Sequence, residues 1–390
     1  MSTAPRPMDG LRVLDFTQNV AGPLAGQVLA DLGAEVIKIE APGGEAARRI
    51  VAVVGDKPLA AYFLPNNRGK KSIEVDLQSP EGREAVLRLC ESADVVLEAF
   101  RPGVMEKLGL GPDELRALNP KLVYARLSAY GGNGPNSGRP GLDLMVQAEA
   151  GMLTGLKTQE GGPQIIPFQL VDGATGHVMA QAVLAALLNR ERNGVADVVR
   201  VAMYDVAVSL QANQLTLFLN RPPKPETPRQ PLPESARPAK KKVAFATQPS
   251  EAFTAADGHV VLSAYTPKHW TLLTQVIGRP DLADDPRFAD QKLRSVNFYE
   301  LREELNAILS AKGVDEWVDI LHEAGLMATR AYNWKQVIET PLFAENELAV
   351  TVGEGERTER VIRTPARFES FVPAAVDPTP RLGEHNHLLG

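Results

Sequence analysis

Residues 11–40 read LRVLDFTQNVAGPLAGQVLADLGAEVIKIE, and this stretch decides the fold expected of the whole chain. Apolar residues dominate its two ends, 11–16 and 35–40, which is typical of short buried strands. Between them runs an apolar helix pattern, with Pro23 suited to its first turn and Gly33 to its C-terminal cap. Strand, helix and strand at this spacing predict a βαβ unit of a parallel sheet.

The alternation of strand and helix continues through the first half of the chain. Short apolar runs predict four more strands, and helical patterns stand between them, so we expect an α/β fold. The further strands are expected at 72–76, 94–98, 122–127 and 198–202, and the helices at 80–92, 112–118, 142–153, 169–192 and 204–219.

A change in composition then separates a second unit. Residues 221–246 are too rich in proline for a packed element and predict a semi-extended linker. Residues 247–326 are expected to form a smaller α+β domain that begins with a hairpin around Asp257-Gly258. Its helices are predicted at 267–277, 295–311 and 314–324.

Composition limits the kind of protein this is. The 390 residues are 44% hydrophobic and 23% charged, as in soluble globular proteins, and a net charge of −6 offers no general field for nucleic acid. The single cysteine, Cys90, excludes an intrachain disulfide and is expected to be a buried structural thiol. No signal peptide or run of about 18 apolar residues is present, so we expect a cytoplasmic protein without a membrane span.

Several common sites are absent from the sequence. The turn after the first strand, Gln18–Pro23, has one glycine instead of a dinucleotide-binding loop, and neither a Walker A loop nor a Gly-x-Ser-x-Gly elbow occurs. The six histidines form no zinc signature, so no metal is expected. Ligands of such sheets still bind beyond the carboxyl ends of the strands. Basic residues at predicted loops there suggest a phosphorylated ligand: Arg48, Arg49, Arg68, Lys70, Lys71, Arg101 and Lys107.

Asp172 is the candidate reactive residue, and its pattern allows two interpretations. It stands near the start of the predicted helix 169–192, beside Gly173 and Gly176. In the first interpretation it is an ordinary N-cap, whose carboxylate accepts the first free N–H groups. In the second, the small glycines leave it uncovered, and the positive helix end keeps it ionised as a nucleophile. The pattern alone leaves both open.

At this point the sequence resembles the class III CoA-transferases, the CaiB/BaiF family. The similar stretches follow one another in the family's order along nearly the whole chain. They are LRVLDFT (11–17) with AGP (21–23), DLGAEVIKIE (31–40), NRGKKSIEVDL (67–77), FRPGVMEKLGL (100–110), GLDLMVQA (141–148), the Asp172 helix, ADG (256–258), DPRF (285–288) and PRLGEH (380–385).

The resemblance implies a fold and a chemistry. It implies a large Rossmann-like domain formed by 1–220 and 327–390, the small domain at 247–326, and an interlocked homodimer. It places the catalytic nucleophile at Asp172, which would carry CoA as an aspartyl thioester between an acyl-CoA donor and a free carboxylic acid. Coenzyme A is thus implied as a substrate, with no permanently bound cofactor.

The resemblance also implies contacts to CoA, and the sequence departs from it at two of them. Many members have Arg where this chain has Ala41 and Asn where it has Ala99, so Arg48, Arg49 or Lys71 are expected to substitute. Small dicarboxylates such as succinate are the first candidate donors, whereas the pair formyl-CoA and oxalate is disfavoured. The implied CoA contacts are Asn19, Val20, Ala21, Val75, Phe100, Arg101, Lys107 and Met203.

Alternatives within and outside the family remain. Related racemases use a histidine immediately before the position of Asp143, and Leu142 stands there, which favours transfer over racemisation. Asp143 itself is either a second functional carboxylate or a cap. Oxyanion donors are expected near Gly131–Gly134 or the helix start. Intramolecular CoA transfer and a CoA-binding scaffold without turnover stay open.

Overall fold

The computed structural model describes most of the chain. All but the first residue of the predicted linker, 221–246, lie outside the described part. The described residues are 5–54, 57–132, 134–155, 162–221, 248–371 and 377–390.

The chain forms two compact units. The first is Met1–Leu219 together with Glu345–Gly390, and the second is Asn220–Ala344. The chain therefore returns to the first unit at Glu345, later than the expected residue 327. The reason is that Met327–Arg330 is a strand that pairs inside the second unit.

The first unit contains all six predicted strands, which are β1, β2, β5, β6, β7 and β8 below. The hairpin of β3 and β4 was not predicted, and the single helix expected at 204–219 is divided into α8 and α9. The strands are β1 (Arg12–Asp15), β2 (Glu35–Glu40), β3 (Val51–Val54), β4 (Lys57–Ala60), β5 (Lys71–Glu74), β6 (Val95–Glu98), β7 (Val123–Ser128) and β8 (Val198–Ala202). The helices are α1 (Ala21–Asp31), α2 (Leu64–Asn67), α3 (Pro80–Glu91), α4 (Val104–Lys107), α5 (Pro112–Leu118), α6 (Asp143–Glu149), α7 (Leu170–Asn193), α8 (Met203–Ser209) and α9 (Ala212–Leu219).

Six of these strands form one fully parallel sheet in the order β5-β2-β1-β6-β7-β8. By position in the chain this is 3-2-1-4-5-6, the order of the doubly wound Rossmann fold. The expected α/β fold with a parallel sheet is therefore confirmed. The central neighbours β1 and β6 lead to helices on opposite faces, which opens a crevice at their carboxyl ends.

The sheet is covered on both faces, so side chains on both faces of its strands are buried, including charged ones on β1 and β2. Successive side chains alternate between the two cores, so Val13 belongs to one and Leu14 to the other. The first core packs against α1, α6, α7 and α8, and the second against α3 and α5. Cys90 lies in the second core as the expected buried thiol, where burial raises its pKa to about 12.

Helix α7 is the central helix of the first core. By length and composition it could cross a membrane, but it packs on α1 and the sheet as a core helix. Gly176 permits the close crossing with α1, because a Cβ there would lie 2.7 Å from the carbonyl oxygen of Ala21. The buried residues of α7 follow helical spacing: Val171, Thr175, Gly176, Met179, Ala180, Val183, Ala186 and Leu187.

The second unit is the expected α+β arrangement. A three-stranded antiparallel sheet in the order β11-β10-β9 packs with helices around its own apolar core. The predicted hairpin is present, although its two-residue turn is Ala256–Asp257 and Gly258 already belongs to the strand. The elements are β9 (Ser250–Ala255), β10 (Gly258–Ser263), α10 (Pro267–Val276), α11 (Asp281–Asp284), α12 (Gln291–Val296), α13 (Phe298–Leu309), α14 (Val314–Glu323), β11 (Met327–Arg330), α15 (Trp334–Glu339) and α16 (Pro341–Glu345).

The C-terminal segment completes the first unit. Its strands β12 (Ala349–Val352) and β13 (Glu359–Ile362) form an antiparallel pair. The tail then docks on β5, where the N–H of His385 donates to the carbonyl of Ser72 at 2.8 Å. Leu388 and Leu389 pack against the second core of the sheet.

Candidate active site

A cavity of about 250 Å³ opens at the carboxyl ends of β1 and β6. This is the position where the strand order of a doubly wound sheet reverses and where ligands of such folds bind. Its walls therefore come from segments that are far apart in the chain. They include 18–22 after β1, 99–102 after β6, 127–129 at the end of β7, 139–142 before α6, and Asp172 and Met203.

The loop between β1 and α1 forms one wall. Asn19 has a φ of 67°, a left-handed conformation that asparagine tolerates better than most residues. Helix α1 then begins at Ala21 with no side-chain cap and no acidic residue in its first turn. Because the first N–H groups of a helix lack internal partners, this end offers hydrogen bonds and a partial positive charge to an anionic ligand.

The segment after β6 forms the opposite wall. Phe100 is held by its backbone N–H, which donates to Glu98 Oε2 at 2.8 Å. The next residue, Arg101, is exposed at the cavity and makes no ion pair or side-chain hydrogen bond within the described part of the chain. This wall thus supplies an apolar ring and an uncompensated positive charge.

Asp172 lies in the first turn of α7 and borders the cavity. The helix begins at Leu170 after the N-cap Gln169, so Asp172 is the third helical residue and the N-cap interpretation is wrong. Its backbone N–H donates to Asp143 Oδ2 at 2.9 Å. A neighbouring carboxylate therefore caps the helix, which leaves the Asp172 side chain for another role.

Asp143 is the first residue of α6 and is buried behind Asp172. Its Oδ1 accepts a hydrogen bond of 2.5 Å from Gln147 Nε2. The Gln147 Oε1 in turn accepts from the N–H of Ile166 at 3.0 Å, which ties down the chain before α7. Asp143 is thus a cap, but for α7 rather than for its own helix.

The environment of Asp172 makes its carboxyl group unusually basic. Burial, followed by the negative charge of Asp143, raises its pKa from 3.8 to about 7. Burial thus opposes the expected effect of the helix end, which favours the ionised form of Asp172. Of the two glycines, only Gly173 has open space beside it, because Gly176 is required by the crossing with α1. A poorly solvated carboxylate that borders a cavity is suited to nucleophilic attack.

A family model described as CoA-transferase family III matches residues 8–386. The chain belongs to CoA-transferase family III. The resemblance found in the sequence motifs is thereby confirmed, and the protein is an acyl-CoA:carboxylate CoA-transferase.

The similarity to individual family members extends over the full chain. The chain is 65% identical over 389 residues to the probable fatty acyl-CoA transferase Rv3272 of Mycobacterium tuberculosis, covering 100% of this chain and 98% of that protein. It is 34% identical to the succinyl-CoA:mesaconate CoA-transferase of Haloarcula hispanica, covering 98% of this chain and 95% of the other. An orthorhombic crystal structure of Rv3272 superposes with a TM-score of 0.87 at 62% identity, covering 98% of this chain and 99% of that chain.

The family positions expected to contact CoA divide into two groups in this transferase. One group lies at the cavity beside Asp172, and the other lies away from it. The first group is Asn19, Val20, Ala21, Phe100, Arg101 and Met203, and the second is Arg48, Lys71, Val75 and Lys107.

Two basic residues of the second group are held in ion pairs. Arg48 binds both carboxylate oxygens of Glu40, at 2.7 and 2.6 Å, and its guanidinium stacks 3.8 Å from the ring centroid of Phe63. Lys71 begins β5 and pairs with Glu35, the first residue of β2. Lys71 therefore lies at the amino edge of the sheet, opposite the cavity.

The other two members of the second group differ in exposure. Val75 directly follows β5 and is buried in the second core. Lys107 ends α4, is exposed, and has no ion-pair partner within the described ranges. Its ammonium group is thus accessible to an anion.

The expected cluster of phosphate-binding basic residues is only partly present. Arg68 pairs with Asp31 at 2.6 Å and Lys70 with Asp15 at 2.7 Å, and all four side chains are buried. These two cations are held in buried ion pairs and are not available to a ligand. Of the seven basic residues singled out, Arg101 and Lys107 are the exposed ones for which the described chain shows no partner.

Sequence reasoning missed the wall formed by 137–142. Arg139 borders the cavity, bonds to Glu149 at 2.5 Å, and stacks 4.6 Å from the ring centroid of Tyr130. The Arg-Pro-Gly run just before the Asp143 motif was the available signal. Of the expected oxyanion loop, the described residues Gly131, Gly132 and Gly134 do not border this cavity, and the Gly131 N–H already donates to Ser128 Oγ at 3.1 Å.

The described residues contain no cluster of three or more histidine, cysteine, aspartate or glutamate side chains placed to hold a metal ion. The cavity instead offers a carboxylate, apolar side chains, a free helix N-terminus and a free arginine. This set is suited to a thioester and its anionic groups.

Proposed function

We propose that this CoA-transferase works through a covalent aspartyl-CoA thioester on Asp172. The Asp172 carboxylate attacks the thioester carbonyl of the donor, forming a mixed anhydride and releasing CoA thiolate. The thiolate then attacks the aspartyl carbonyl, which gives the aspartyl-CoA thioester and the free donor acid. The acceptor carboxylate runs the same steps in reverse.

One observation carries this proposal. The Asp172 carboxyl group borders the cavity at the reversal point of the sheet, and its pKa is raised to about 7. The uncapped start of α1 borders the same cavity, and its N–H groups supply a means to stabilise the oxyanion formed during attack.

Intact-protein mass spectrometry after mixing with acyl-CoA tests the mechanism. Wild type is expected to gain the mass of CoA less one water, and Asp172→Asn is expected to gain nothing. Asp113→Asn is the matched control, because Asp113 also lies in a first helical turn but is exposed and away from the cavity. An adduct that persists in Asp172→Asn contradicts the mechanism. Exchange of the α-hydrogen of an acyl-CoA without any adduct would instead indicate racemisation. Unchanged function of Asp172→Asn would indicate a CoA-binding scaffold without turnover.

We propose that CoA extends from the cavity toward the two free cations. Its thioester end lies at Asn19, Val20, Ala21, Phe100 and Met203, and its phosphates lie at Arg101 and Lys107. Replacing Lys107 by Met should raise the Kd for CoA about tenfold, as expected for loss of one charged contact. The same variant should bind an acyl-pantetheine as wild type does, because that molecule lacks the ADP part.

We propose a fatty acyl-CoA as the donor. The 65% identical relative Rv3272 is described as a probable fatty acyl-CoA transferase. Apolar side chains near Asp172 agree with an acyl chain: Leu142, Leu144, Met145, Ile165 and Phe168 are each 43–55% exposed. Succinyl-CoA is the second candidate donor, since relatives at 32–34% identity are described as succinyl-CoA or succinate CoA-transferases. Adduct yields with octanoyl-CoA and succinyl-CoA separate the two.

We further propose that the active form is a cytoplasmic homodimer whose two chains interlock. Large apolar side chains outside the sheet are exposed, among them Trp334 at 78% and Leu342 at 68%. Such exposure is typical of a surface covered by a partner. Sedimentation should give twice the mass of one chain, and a monomer at micromolar concentration would contradict the proposal.

A further inference from the structure

A balanced group of buried charges lies beneath the loop that joins β1 to α1. Asp15, Lys38, Glu45 and Lys70 are each at most 5% exposed. Burying charges is costly, and a buried ion pair often stabilises a fold no better than apolar residues of similar size. The covalent mechanism uses none of the four residues. Neither fold stability nor the proposed chemistry therefore explains why these charges are buried here.

Glu45 fixes the centre of the loop. Its Oε2 accepts a hydrogen bond of 2.7 Å from the backbone N–H of Asn19, the residue with a φ of 67°. A left-handed conformation in a residue other than glycine costs free energy and persists only where surrounding contacts hold it. The Glu45 carboxylate provides that contact from a segment 26 residues further along the chain.

Lys38 joins Glu45 to the start of the loop. Its Nζ lies 2.9 Å from Glu45 Oε1 and donates to the carbonyl of Thr17 at 2.8 Å. Lys38 on β2 therefore contacts both Glu45, which holds Asn19, and Thr17, two residues before Asn19 in the loop. The pair has side-chain exposures of 0% and 1%, so water does not compete for these contacts.

The second pair holds the two ends of the loop. Asp15 Oδ1 accepts the N–H of Thr17 at 2.9 Å, and Asp15 Oδ2 accepts Lys70 Nζ at 2.7 Å. Lys70 also donates to the carbonyl of Pro23 at 2.8 Å. The loop is thus fastened at Thr17, Asn19 and Pro23, and the residues between these points, 18–22, border the cavity.

We propose that Glu45, held by Lys38, is a positioning residue for CoA binding. It keeps Asn19 in the left-handed conformation, and so keeps the uncapped start of α1 aimed at the cavity before a ligand arrives. A loop ordered in advance loses less conformational entropy when CoA binds. The inference rests on the proposed function, because it assumes that CoA occupies this cavity.

A double variant tests the role apart from folding. Lys38→Met with Glu45→Leu replaces the pair by apolar side chains of similar size, so no buried charge is left unpaired and the variant is expected to fold, with a modest loss of stability from the freed Thr17 and Asn19 backbone groups. It removes the acceptor for Asn19, and the Kd for CoA measured by calorimetry should rise about tenfold. The adduct yield at saturating octanoyl-CoA should stay at the wild-type level, because Asp172 is untouched.

The matched control is Arg12→Met with Glu35→Leu. This pair links β1 to β2, at 2.6 Å, but lies at the amino ends of these strands, and the Kd of the control for CoA should equal that of wild type. Equal affinity in the double variant, or the same loss in the control, overturns the inference. Failure of wild type itself to bind CoA would instead overturn the proposed function.

Asn19→Gly provides a second test that leaves the buried charges intact. Glycine adopts the same conformation but leaves the free loop more flexible, so the Kd for CoA should rise about threefold. If the Lys38/Glu45 variant fails to fold, this substitution decides, and an unchanged Kd for CoA contradicts the positioning role.

Discussion

At the scale of single residues, the ionisation of the Asp172 carboxyl group links the structure to the proposed reaction. Burial and the charge of Asp143 bring the pKa of Asp172 to about 7, so both protonation states are populated near neutral pH. The ionised form is by far the stronger nucleophile toward a thioester. The reaction and the stability of the fold should therefore both depend on pH in this range, in opposite directions.

The rate of adduct formation should rise with pH and level off above about 7. Asp143→Asn removes the neighbouring negative charge while an amide oxygen can still accept the Asp172 N–H. The midpoint of the pH profile of adduct formation should accordingly lie at lower pH in Asp143→Asn than in wild type. Single-turnover mass spectrometry across pH 5–9 measures both profiles, and an unshifted midpoint in Asp143→Asn would show that this charge does not act on Asp172.

Stability should show the opposite dependence. The folded pKa of about 7 lies above the ordinary 3.8, so between these values the folded protein binds more protons than the unfolded chain. The free energy of unfolding should thus fall as pH rises from about 4 to about 7. Asp172→Asn removes this effect, so its Tm should exceed that of wild type at pH 8 and match it at pH 4. A lower Tm at pH 8 would contradict the burial argument.

At the scale of elements, the crossing of α1 and α7 sets the distance between Asp172 and the β1–α1 loop. Two glycines of one helix play different parts in it. At Gly176 a Cβ would approach the Ala21 carbonyl to 2.7 Å, whereas at Gly173 a Cβ would meet nothing within 4 Å. Helical spacing shows that both are on α7 but does not show which one faces α1.

The two glycines therefore make a matched pair for measurement. Gly176→Ala should lower the free energy of unfolding by about 1–3 kcal/mol, because the helices must move apart. Gly173→Ala should raise it by up to about 1 kcal/mol, since alanine favours helix without a clash. Urea denaturation gives both values, and equal effects would exclude the close crossing.

At the scale of the whole molecule, the first unit is completed by the end of the chain. The tail crosses to β5, where Asn386 Oδ1 accepts the N–H of Glu74 at 2.8 Å and the chain of His385 bonds to Ser72. The edge strand of the parallel sheet thus depends on residues more than 300 positions away.

Removing residues 383–390 should consequently destabilise the first unit. Loss of Leu388 and Leu389 from the second core and of the bonds to β5 should lower the free energy of unfolding by about 2–4 kcal/mol. The pair of substitutions Leu388→Ala and Leu389→Ala separates packing from the backbone bonds. Thermal unfolding of both variants measures the effect, and an unchanged Tm after truncation would contradict it.

Much of the architecture was predictable because it depends on local pattern. Apolar runs and helical spacing predicted the six sheet strands, and the motifs from residue 11 to residue 385 predicted the family. These features are written in short segments, each of which carries its own signal. The hairpin β3–β4 has no such pattern and was missed.

The tertiary structure alone decided what the charged residues do. In the sequence Arg48, Arg68, Lys70 and Lys71 were equivalent cations near predicted strand ends, yet each is held by a carboxylate. For Arg48 this is Glu40, eight residues earlier, and for the other three it comes from a distant segment. Likewise, the pKa of Asp172 is raised because the fold buries this carboxyl group and, as a smaller effect, places Asp143, 29 residues earlier, beside it. Burial and electrostatic neighbours are properties of the assembled chain, because local pattern fixes which element a residue belongs to, whereas the fold fixes what surrounds it.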